Sequence, residues 1–99
     1  MSSLAFARAA RALGRAARLR GLRVPVFRSP PGLDVTRTIR RRRGTVTIAV
    51  RRRGRPVSAV VADMIEGVVV ANELTGVAAD RVRSALWEAV RKEDRPLAA

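Results

Sequence analysis

The sequence predicts an α+β fold in which a basic β-hairpin packs on a two-helix hairpin, preceded by an Arg/Ala-rich N-terminal arm. Three patterns predict it. Residues 35–51 are rich in Val, Ile and Thr and are divided by a turn that ends in Gly44. Val57, Val60, Val61, Met64, Ile65 and Val68 recur at helical spacing, with Asp63, Glu66 and Glu73 on the other side. Val82, Ala85, Leu86, Ala89 and Val90 form a second such stripe.

Residues 1–23 read as a basic amphipathic arm or targeting segment. Arg8, Arg11, Arg15 and Arg18 lie three and four apart, so they form one stripe on a helix, with Phe6, Leu13 and Ala17 opposite. An arginine every few residues breaks the apolar run that a secretory signal needs. A basic arm that folds on a phosphate backbone, an interfacial membrane helix and an organellar transit peptide all share this composition. Residues 24–33 read as a linker, because Pro25, Pro30, Pro31 and Gly32 interrupt regular structure. Residues 34–95 are then the small ββαα domain, and 96–99 a tail.

Strand register follows from parity. If the hairpin loop holds an even number of residues, Val35, Ile39, Val46, Ile48 and Val50 share one face. Thr36, Thr38, Arg40, Thr47, Ala49 and Arg51 share the other, while Arg37 must snorkel from the apolar side. An odd loop would set Ile39 beside Thr47 and spoil both faces, so the even loop is expected.

Pro56 suits the first position of the next helix, where its missing N–H costs nothing, and Gly76 suits its end. The three valines within residues 67–71 are poor helix formers and fit a short strand as well, but the surrounding periodicity favours helix. Residues 78–92 form the last helix, with Asp80 in its first turn and Arg91 and Lys92 in its last, each suited to the helix dipole. Pro96 follows its end.

The charge has an address. The 99 residues carry a net +13, yet residues 1–56 hold 16 arginines against Asp34 alone, a net of +15, and residues 57–99 hold a net of −2. Codon bias in a GC-rich genome accounts for Arg over Lys but not for the near absence of acids before residue 57. A field of that sign attracts phosphates and anionic surfaces. With no His, Cys or Tyr in the chain, proton transfer near neutral pH and thiol chemistry lose their usual carriers, and Ser58 and Ser84 have no base. The expectation is a non-enzymatic protein with no metal and no cofactor.

Two clusters carry the binding expectation: Arg40, Arg41, Arg42 and Arg43 at the hairpin turn, and Arg51, Arg52, Arg53 and Arg55 after the second strand. Arginine matches phosphate bidentately, so nucleic acid is the expected partner, DNA or RNA left open, with Arg8, Arg11, Arg15 and Arg18 as an auxiliary arm. The aromatics are Phe6, Phe27 and Trp87, too few for a stacking platform, which favours backbone contact with duplex DNA or structured RNA. Trp87 is either a core edge or an oligomer or partner contact, and a small core without cysteine or metal suggests a homodimer. An acidic protein partner and an anionic membrane surface reached through residues 1–23 are the competing readings. No apolar run reaches the length of a membrane span, and a cytoplasmic location in a bacterium is expected, with a mitochondrial one as the alternative if residues 1–23 are a transit peptide.

Thr45 to Lys92, with Thr75-Gly76 followed by Arg83, Ala85 and Leu86, somewhat resembles the ribbon-helix-helix DNA-binding fold, in which two chains pair their strands. The stretch between strand and Gly76 is several residues longer than in that fold, and the Arg/Ala/Leu pattern falls one residue early. The fold expectation therefore stays with a hairpin formed within one chain.

Overall fold

A computed structural model describes residues 3–94, and the expected tail at 96–99 lies outside them. The elements run α1 (Ser3–Leu19), β1 (Val26–Arg28), β2 (Arg37–Arg42), β3 (Thr45–Val50), α2 (Val57–Ala71) and α3 (Gly76–Asp94). The fold is α+β, with a three-stranded sheet in the order β1-β3-β2. Among the described residues no helix is long and apolar enough to cross a membrane.

The hairpin has the expected even loop. Arg43 (φ 50°) and Gly44 (φ 79°) form a two-residue turn with both residues left-handed, the backbone whose twist matches that of paired strands. Ile39 then faces Ile48 and Arg40 faces Thr47. Val46, Ile48 and Val50 are buried on one side, and Thr47 and Ala49 lie on the other. Residues 67–71 are helical, as the periodicity implied.

Four boundaries differ from expectation. β2 begins at Arg37, so Val35 lies before the sheet and is exposed instead of joining its apolar face. Pro56 is the N-cap of α2 rather than its first residue, with extended backbone and its carbonyl accepting from Ala59 and Val60 N–H. α2 ends at Ala71, not Gly76, because the Asn72 side chain accepts from Arg23 N–H at 2.8 Å and donates to Val68 O at 2.9 Å, and Glu73 turns left-handed (φ 56°). Gly76 opens α3 instead.

The larger difference lies before residue 34. Residues 24–33 hold β1, which runs parallel to β3 with Phe27 opposite Ile48. Three residues fit between Pro25 and Pro30 because β1 is an edge strand, where a missing N–H leaves the ladder intact. Nor is α1 a separate arm. Ala9, Ala12, Leu13, Ala16 and Ala17 are buried against α3 and α2, and the small alanines let the helix axes approach closely. The helix closes where Leu22 N–H bonds Ala17 O and Gly21 N–H bonds Arg18 O, with Gly21 at φ 68°, the pairing of a Schellman motif.

α1 packs mainly on α3 and meets α2 as well, and it adds to a core in which Val60, Val61, Val68 and Val69 are buried within one chain. Trp87 lies half-buried against the same core. β3 has a partner strand on both sides, so it presents no free edge for the interchain ribbon of a ribbon-helix-helix dimer.

Candidate nucleic-acid interface

α2 packs on one face of the sheet, the face of Ile48. Among the described residues no helix covers the other. Pleat alternation and the register place Val26 and Arg28 from β1, Thr45, Thr47 and Ala49 from β3, and Thr38, Arg40 and Arg42 from β2 on that open face. It carries three arginines, three threonine hydroxyls and no acid. A hollow of about 750 Å³ lies across it, running from Arg43 and Thr45 at the hairpin tip to Arg28, Pro30 and Leu33.

A second hollow, of about 740 Å³, opens where β3 ends, lined by Ser29 to Asp34 on one side and by Arg51, Arg52, Arg53 and Gly54 on the other. Pro30 and Leu33 line both hollows and form the wall between them. The two arginine clusters thus fall one at each end of a single track along β3, on the order of 20 Å long for six residues.

The eight cluster arginines do not play one role. The side chains of Arg40, Arg42, Arg43 and Arg53 are exposed and have no hydrogen-bond or ion-pair partner among the described residues. Arg41 points to the apolar side of the sheet, where its Nη2 donates to Val70 O and Ala71 O, both at 3.1 Å. It neutralises the negative end of α2, a structural task. Arg52 donates to Ser29 Oγ at 2.6 Å and lies 4.9 Å from the centroid of the Phe6 ring, tying β1 and α1 to the β3–α2 turn. Arg51 is half-buried, and its Nε makes no hydrogen bond.

Arg55 is a structural residue as well. Its Nη1 lies 2.6 Å from Asp63 Oδ2 and donates to Arg51 O at 3.0 Å, with the pair's side chains only 13% and 21% exposed. Asp63, on the side of α2 away from the valine stripe, is therefore the anchor of an inward cation. Asp63→Ala is expected to lower stability by about 1–3 kcal/mol, between the exposed and the buried limits for breaking an ion pair. A thermal melt measures this, and a drop under about 0.5 kcal/mol would place the pair in solvent.

On the acidic side, Arg83 grips Glu66 with both arms, at 2.7 and 3.0 Å, and Asp80 at 2.8 Å, joining α3 to α2. The Arg83 hydrogen bonds hold the Glu66 carboxyl below the usual carboxylate range. On α1, Arg8, Arg11 and Arg18 point outward, and Arg15 pairs with Glu93 at 2.8 Å. The apolar side that a membrane surface would take is occupied by α3 and α2.

Sequence reasoning missed Arg28, Leu33 and the wall they help to form. The alternation Val26-Phe27-Arg28 was the available signal, but three residues flanked by prolines fall short of a recognisable strand. Comparison with known protein families, with curated proteins and with solved structures finds no match to this chain.

Proposed function

We propose that this protein binds nucleic acid without catalysing a reaction on it, through phosphate contacts made by Arg28, Arg40, Arg42 and Arg43 on the open sheet face and by Arg53 beyond it. The observation that supports this most directly is the open face itself. It is cationic, free of acids and, among the described residues, uncovered by any helix, whereas Arg41 on the other side of the sheet is held by the carbonyls that end α2 and Arg55 beyond the sheet by Asp63. The threonine hydroxyls between the arginines add neutral donors to phosphate oxygens. Against the eight residues expected from sequence, Arg41, Arg51, Arg52 and Arg55 leave the contact set, and Arg28 joins it.

Counterion release provides the test. Arg28→Ala, Arg40→Ala and Arg42→Ala combined should flatten the log–log salt slope of binding by about 2 for a single strand or about 2.7 for a duplex, and weaken unrelated sequences alike. The melting temperature should hold, since these exposed side chains make no hydrogen bond or ion pair among the described residues. A folded triple variant with an unchanged slope would remove the sheet face as the binding surface. Salt-tolerant capture of an acidic protein, unaffected by nuclease, would favour the interaction-module reading instead.

A further inference from the structure

We infer that the ligand is a single strand, laid along β3 over the wall of Pro30 and Leu33 so that its phosphates occupy both hollows at once. The inference rests on the nucleic-acid reading and deepens it. The wall separates two cationic floors of similar size, with Arg40 and Arg42 on one side and Arg53 on the other.

Stiffness decides between the two forms of nucleic acid. A duplex has a persistence length of about 50 nm, so over a track on the order of 20 Å it behaves as a straight rod. A rod resting on the wall meets the floor on one side only. A single strand bends at every linkage and can descend into both hollows. Pro30, Leu33 and Ala49 give its sugars and bases an apolar surface where the hollow leaves the sheet, in place of the aromatic platform that this face lacks. Because that surface reads no base edges, binding should be tolerant of sequence. Asp34 is the one acid among the residues that line the second hollow, against Arg51, Arg52 and Arg53.

The test uses the full chain and fluorescence anisotropy at several salt concentrations. The probes are oligothymidine single strands of about 12 and about 4 nucleotides, within the range of site sizes for single-strand grooves, and a duplex matched in length to the longer one. The longer single strand should bind more tightly than the duplex. Arg53→Ala should flatten its salt slope by about 0.7, the loss of one single-strand phosphate contact, and leave the short strand, held by the sheet face alone, unchanged. Leu33→Glu, which sets a negative charge on the wall, should weaken the long strand more than the short one.

A duplex bound as tightly as the long strand, or an Arg53→Ala effect equal at both lengths, would overturn the single-strand inference while leaving the nucleic-acid reading in place. If none of the three probes bound with a salt-dependent affinity, or polyglutamate competed as well as oligothymidine, both would fall.

Discussion

Removing residues 1–21 is expected to abolish cooperative folding. Leu13 and Ala17 have no solvent exposure, Ala9 and Ala16 lie within the same core as Leu86 and Val82 of α3, and Ala12 is buried as well. Replacing one fully buried leucine by alanine costs about 2–5 kcal/mol, and a whole domain holds only about 5–15 kcal/mol in reserve. Deleting α1 takes away that leucine and four alanines, and uncovers the valines of α2. Far-ultraviolet circular dichroism of a chain beginning at residue 22 should show no sharp melt. The finer version is Leu13→Ala in the full chain, expected to lower the melting temperature on the order of 10–20 °C. A shortened chain that melted within a few degrees of the full one would return α1 to the role of a separable arm.

The reason α1 was not legible as core lies in its alanines. An amphipathic helix announces burial through large apolar residues, and this one offers only Phe6 and Leu13 on the inner side, while its larger residues Leu4 and Leu19 are exposed. A face of Ala9, Ala12, Ala16 and Ala17 buries well only if another helix comes close, which is a property of the partner and not of the segment. The hairpin and α2 were legible because their signals are local: parity for the strands, and the spacing of Val60, Val61, Met64, Ile65 and Val68 for the helix. β1 was not, because a parallel pairing with β3 joins residues about twenty apart and leaves almost no trace in three residues. The candidate site divides along the same line. That arginines gather at both ends of β3 is visible from composition. Which of them are free is not, since the partners of Arg41 and Arg55 are a helix end 29 and 30 residues on and a carboxylate eight positions on.

How closely α2 lies on the sheet sets a second large effect, at Gly67. A Cβ there would stand 2.7 Å from both Cδ1 and Cγ2 of Ile48, well inside van der Waals contact. Two effects then compete for Gly67→Ala. Helix propensity favours alanine by about 1 kcal/mol in a helix interior, whereas overpacking a filled core costs about 1–3 kcal/mol. Relief by a rotamer change is blocked, because both branches of Ile48 meet the new methyl and the side chain is fully buried. Overpacking should therefore win, with a net loss of about 1–2 kcal/mol in chemical denaturation. Ile48→Ala alone should cost about 2–5 kcal/mol through its cavity. In the double variant the new methyl occupies part of that cavity, so the combined loss should fall short of the sum of the single ones by about 1 kcal/mol or more. Neither change touches the open face, so the salt slope of nucleic-acid binding should stay as it is under conditions where the variants remain folded. A Gly67→Ala chain more stable than the parent would mean that α2 stands further from the sheet than this packing requires.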